Sequence, residues 1–127
     1  MGTFDVGLEL RKQVLGSESV DAKLRDVDAF NRDIQRLVTE FAWGTVWSRE
    51  GLSLRDRSLI NLGMLTALNR PHELRSHVRG ALNNGCTATE IRETLIQTAV
   101  YCGFPAALDA FRVARDELHA ASDKGAR

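Results

Sequence analysis

The sequence predicts an all-α fold of about six helices, and three observations carry that prediction. No segment shows the strict apolar and polar alternation of a half-buried strand. Apolar residues recur instead at three- and four-residue spacing, as one face of a helix requires. Glycine and proline fall mostly between those periodic runs, where helices start and stop. At 127 residues the chain has the size of one ordinary domain, and no repeat, low-complexity tract or linker divides it.

The first helix is expected over Phe4 to Leu15, where Phe4, Leu8, Val14 and Leu15 stand among charged residues and Gly16 supplies the stop. A polar turn through Ser17 and Ser19 follows. The run DAFNRDIQRLVTEFAWG predicts a second helix, capped by Asp26 or Asp28 and ended by Gly44. Phe30, Ile34, Leu37, Val38 and Phe41 lie at helical spacing along it as a core-facing stripe. Trp43 and Trp47 flank Gly44, an aromatic pair suited to wall a pocket or seal a core.

Ser53 caps a third helix, LRDRSLINLGMLTALNR, which is apolar on more than one face and therefore expected in the middle of an assembly. Arg55 and Arg57 occupy its first turn, the end where the helix dipole disfavours cations, so a carboxylate partner or a bound anion is expected there. The fourth helix opens at Pro71, whose fixed φ suits a first helical position, and closes at Gly85, which can take positive φ. Leu74, Val78, Ala81 and Leu82 form its apolar stripe, and Glu73 and His77, four residues apart, share a neighbouring face as a candidate acid/base pair. Thr87 and Glu90 have capping-box spacing and open the fifth helix, which Gly103 closes after Cys102. Pro105 opens the last, AALDAFRVARDELHA, and the tail from Ser122 is expected to fray.

Basic and acidic residues balance at 17 each, so no net field favours nucleic acid or an anionic membrane surface. The opening MGTFDVGLEL has no basic region followed by an apolar one, and no run approaches the roughly 20 apolar residues of a membrane span. A cytoplasmic chain is expected. Cys86 and Cys102 lack Cys-x-x-Cys spacing and read as ordinary reduced thiols, with Cys102 packed as a small hydrophobe. No dinucleotide loop, P-loop or dense ligand cluster is present. The helix faces hold more apolar surface than such short helices cover by themselves, and a homo-oligomer is expected.

Four blocks in order carry a resemblance: AWGTVW (Ala42 to Trp47), RSLINLGMLTALNR (Arg57 to Arg70), ELRSHVRGALNNG (Glu73 to Gly85) and EIRETLIQTAVYCGFPAA (Glu90 to Ala107), together with the chain length and short N-terminal helix. Together they resemble the carboxymuconolactone decarboxylase family over roughly Val27 to Leu118. That resemblance implies an alkylhydroperoxidase-D-like helical fold assembled as a homotrimer or homohexamer. It further implies an N-terminal arm over residues 1–26, a core over 27–118 and a tail over 119–127. The implied reaction is decarboxylation of a carboxymuconolactone, a dicarboxylate lactone, to 3-oxoadipate enol-lactone in protocatechuate catabolism.

The departing carboxylate of such a lactone leaves its electron pair to a double bond conjugated with the lactone carbonyl, so the substrate is its own electron sink and no cofactor is required. The enzyme must supply a donor to the developing oxyanion, a proton for carbon, cationic anchors and apolar walls. Under the resemblance His77 is the acid or oxyanion donor and Glu73 orients or tunes it. Arg57 and Arg70, ahead of Arg75 and Arg79, hold carboxylates; Trp43 and Trp47 wall the pocket, and Cys102 joins the substrate-binding set. Related thiol peroxidases use a Cys-x-x-Cys pair that is absent here, which leaves Cys102 as the one thiol for a redox alternative. A repurposed member acting on another lactone or a β-keto acid is the remaining alternative.

Overall fold

Local signals set where most helices begin and end. In the computed structural model, which describes residues 2–125, all regular structure of the described residues is helical. Among the described residues seven α-helices form where about six were expected, because the polar stretch after Gly16 is itself a helix. The chain divides into two compact units, Met1–Leu54 and Arg55–Arg127.

In the first unit α1 (Thr3–Leu15) ends at Gly16, whose φ of +96° turns the chain sharply into α2 (Ser17–Arg25). The expected polar turn through Ser17 and Ser19 is thus corrected. Val20 is fully buried, Leu24 packs against the same core, and Lys12 pairs with Asp21 at 3.2 Å, which is enough to hold a nine-residue helix against α1. Asp28, not Asp26, organises the next start: its Oδ1 accepts from the Phe30 and Asn31 amides at 2.9 and 3.2 Å, and Asn31 Oδ1 accepts from the Asp28 amide at 2.8 Å.

Helix α3 (Arg32–Leu37) continues as a wider π-helix over Val38–Trp47. Gly44 does not end it. A Cβ on Gly44 would collide with the Thr3 carbonyl, and one on Gly7 with the Thr39 carbonyl, so the two glycines let α1 and the π-helix cross at backbone contact. That crossing decides which face is buried. Thr39, Trp43, Gly44 and Trp47 turn inward, whereas Phe30, Ile34, Leu37 and Phe41, the expected core stripe, are 97, 57, 59 and 63% exposed. Val38 alone of that stripe packs against the core. Arg11 is buried in the same unit, where its guanidinium donates to Thr39 Oγ1 at 3.0 Å while that hydroxyl donates to the Gln35 carbonyl.

The second unit holds α4 (Leu54–Ala67), α5 (Pro71–Asn83), α6 (Ala88–Cys102) and α7 (Phe104–Gly125). Asn69, at φ +56°, closes α4: the Arg70 amide returns to the Leu65 carbonyl and the Asn69 amide to that of Thr66. Gly85, at φ +91°, closes α5 the same way, with the Cys86 amide on Ala81 and its own on Leu82. The capping box forms as expected, Thr87 Oγ1 accepting from the Glu90 amide and Glu90 Oε1 from the Thr87 amide. Helix α7 begins at Phe104 and continues through the expected frayed segment to Gly125; Ala126 and Arg127 lie outside the described residues. Leu62, Leu74, Val78, Ala81, Ile91 and Leu95 make the core, with α5 and α6 both packed on α7.

Alanine at Gly44 gains about 1 kcal/mol of helix propensity but must displace backbone, an overpacking cost of about 1–3 kcal/mol or more. The clash wins. Gly44→Ala is therefore expected to lower the unfolding free energy in denaturant titration, whereas Gly51→Ala, with nothing within 4 Å of its Cβ position, stays within about 0.5 kcal/mol of the parent.

Candidate active site

Helix α5 carries its site on the face that also builds the core. Leu74, Val78 and Ala81 are 2, 0 and 0% exposed, and His77, among them, is 9% exposed. An imidazole in that position needs polar company, and Asn61 of α4 supplies it: Asn61 Nδ2 stands 3.5 Å from His77 Nδ1. One turn earlier on α4, fully buried Ser58 accepts from Asn84 Nδ2 at 2.9 Å. Two polar contacts therefore tie α4 to α5 across an apolar seam.

Arg57 precedes Asn61 by four residues, so about one helical turn sets both on the same side of α4. Glu73 lies one turn before His77 but is exposed, on the solvent side of the helix whose inner side holds the imidazole. Arg70 is exposed at the α5 start, its guanidinium 3.4 Å from the Asn69 carbonyl. Arg75 and Arg79 are turned to α7, where Arg75 pairs with Asp116 and Glu117 at 3.7 and 3.9 Å and Arg79 with Glu117 at 3.5 Å.

The tryptophans belong to the first unit. Trp43 and Trp47 stack with centroids 4.5 Å apart and planes 18° off parallel, and they are 4 and 8% exposed, so most of their surface seals that unit's core. Trp47 also edges a surface cavity of about 350 Å³ with Leu10, Ser48 and Arg49.

Cys102 departs from expectation. It is exposed at the last turn of α6 and borders a cavity of about 500 Å³ with Gly63, Glu93, Gln97 and Tyr101. That cavity meets α4 at Gly63, roughly 200° around the helix from Asn61. Cys86 is the packed thiol: it is 4% exposed and donates to the Arg55 carbonyl at 3.7 Å. Burial pushes its thiol above the usual cysteine range, partly opposed by the Arg55 guanidinium, with Asp56 adding to the rise. Arg55 itself pairs with Glu90, the carboxylate partner expected for a cation in the first turn of α4.

A larger groove of about 640 Å³ between α6 and α7, with Leu95, Leu108 and Phe111 in its walls and Arg92, Arg112 and Arg115 at hand, is lined by none of the expected site residues. Among the described residues no three His, Cys, Asp or Glu side chains gather closely enough to hold a metal ion.

The model of the carboxymuconolactone decarboxylase family matches residues 32–116, from the start of α3 into α7. The chain belongs to that family. Asn61, His77 and every expected site residue fall inside the match. Nitrosuccinic acid decarboxylase npaB of Metarhizium robertsii is 48% identical over 96% of this chain and 85% of its own. The 4-carboxymuconolactone decarboxylase of Acinetobacter baylyi is 43% identical over 89% and 84%. An uncharacterised 15.0 kDa protein of Paracoccus denitrificans is 39% identical over 60% and 58%. The two characterised relatives are decarboxylases of different acids, which supports carboxy-lyase chemistry for this family member.

Sequence reading missed Asn61, Ser58 and Asn84. The available signal was polar residues at i and i+3 inside an apolar helix, and what they meet lies 16 and 26 residues further along the chain. Folded protein treated with an excess of iodoacetamide at pH 8 is expected to lose one thiol, at Cys102, quickly and the other, Cys86, only after unfolding; peptide mass mapping of the alkylated sites checks this.

Proposed function

We propose that the protein is a cofactor-independent carboxy-lyase for a small dicarboxylate that carries its own electron sink, with 4-carboxymuconolactone, converted to 3-oxoadipate enol-lactone, as the first candidate. The observation that carries this reading is His77 on the buried face of α5 in a chain 43% identical to a 4-carboxymuconolactone decarboxylase. When the carbon–carboxylate bond breaks, its electron pair enters the conjugated double bond and reaches the lactone carbonyl oxygen. Carbon dioxide leaves, and a proton must then be delivered to carbon.

His77 is assigned the donor role, toward the oxyanion as it forms or toward carbon afterwards. Glu73, one turn before it on the same helix and exposed, is assigned to orient the ring. Arg57 and Arg70 are assigned to the substrate carboxylates. A second reading, nitrosuccinic acid, has its own support in the 48% identity to the decarboxylase named for that acid. The electron logic is the same: the carboxylate on the nitro-bearing carbon departs and the pair moves into the nitro group as a nitronate, whose oxygen takes the same donor.

The working form is proposed to be a homotrimer or homohexamer, supported by large apolar side chains left exposed on the single chain, such as Phe30, Ile34 and Phe41. Light scattering at assay concentration is expected to return three or six chain masses; a monomer that turns over would sink the assembly.

Chelator-treated protein supplied with freshly made 4-carboxymuconolactone, and separately with nitrosuccinate, is expected to release carbon dioxide from at least one of them. His77→Ala should lower kcat by about 10²- to 10⁴-fold, and Arg57→Ala should act mainly through KM. Release from neither acid by a folded oligomer would reject the reading, as would near-parental kcat in folded His77→Ala.

A further inference from the structure

An amide side chain has two kinds of end, and which end meets a histidine determines where the ring proton sits. At Asn61 the nitrogen Nδ2, which can only donate, is 3.5 Å from His77 Nδ1. A ring nitrogen that receives a donor must offer its lone pair. In the neutral imidazole the proton then belongs to the other nitrogen, Nε2, at the far edge of the ring.

The position of Asn61 is itself held. Its neighbour Leu62 is fully buried in the core, and Ser58, one turn before it, is fixed at 2.9 Å by Asn84, the residue that caps the end of α5. The amide therefore sits on a helix already packed against the helix that bears His77. Half-burial of Asn61 beside a 9% exposed ring limits competition from water for the contact.

We propose that Asn61 is a positioning residue that selects the Nε2–H tautomer of His77 and so sets Nε2–H as the hydrogen-bond donor to the developing oxyanion. This inference rests on the donor role of His77 given above, although the tautomer can be measured without any turnover. The opposite orientation of the amide would place an acceptor at Nδ1 and demand the Nδ1–H ring, so the two assignments give opposite spectra.

The test uses the full chain labelled with ¹⁵N in its histidine rings, at a pH where the ring is neutral, with the His77 signals assigned from a His77→Gln sample. Folded protein is expected to show Nε2 protonated in a larger share than the same chain unfolded in urea. Asn61→Asp, whose carboxylate accepts from Nδ1–H, is expected to invert that share. Asn61→Ala, kept as a second variant in case the aspartate disturbs folding, should relax it to the unfolded ratio. With the substrate that turns over, Asn61→Asp should lower kcat by about tenfold or more while KM stays within about twofold. An Nδ1–H ring in the parent overturns the proposal, as does a ring share unchanged by both substitutions, or an inverted ring that leaves kcat untouched. Near-parental turnover by His77→Ala would instead strike the donor role itself, and the ring spectra separate the two failures.

Discussion

The second unit depends on a single arrangement, the burial of one face of α5. Leu74, Val78 and Ala81 are nearly removed from water there, at roughly 1.5–3 kcal/mol for each of the larger side chains. His77 has to share that face. A buried polar group left unsatisfied costs about 1–3 kcal/mol, so α4 cannot pack on α5 as a purely apolar helix. It contributes Asn61 to the imidazole and receives Asn84 on Ser58, and the positions of those pairs fix its rotation and register against α5. Packing and chemistry are therefore one constraint in this unit.

The first unit solves a different problem by a different route. Two helices meet at Gly7 and Gly44 because no side chain fits between their backbones there. That approach brings Arg11 against Thr39 and turns Trp43 and Trp47 into the same core. The π-helix over Val38–Trp47 presents Thr39, Trp43, Gly44 and Trp47 to α1 together. Its cost in apolar exposure is paid on the outer side, where Phe30, Ile34, Leu37 and Phe41 face solvent in the single chain.

Family membership connects these features to decarboxylation, and the chemistry asks little of the protein. A substrate with its own electron sink needs carboxylates held, an oxyanion met by a donor, and water kept away from the departing group. An imidazole with a defined tautomer on a packed helix is suited to the second task, because a donor that need not reorient at the moment of reaction is more effective. Cys102 and Cys86 lie apart from this logic, one exposed at the end of α6 and the other packed beneath the Arg55 carbonyl.

What the sequence determined by itself was whatever is settled within about five residues of chain. Pro71 and Gly85 bound α5, Thr87 and Glu90 cap α6, Gly16 and Gly103 break the chain with positive φ, and the ordered blocks from Ala42 to Ala107 disclosed the family. The place of His77 on α5 was legible because the bounds of that helix were. Tertiary structure alone decided which face of α3 and its π continuation is buried, that Gly44 is a crossing point and not a stop, that nine residues after Gly16 form a helix, and that Asn61 meets the histidine. Caps and turns are satisfied by neighbours in sequence, so their signals are local. A helix's inward face and an imidazole's partner depend on another helix, here sixteen residues away, and no periodicity within one segment records where that helix will lie.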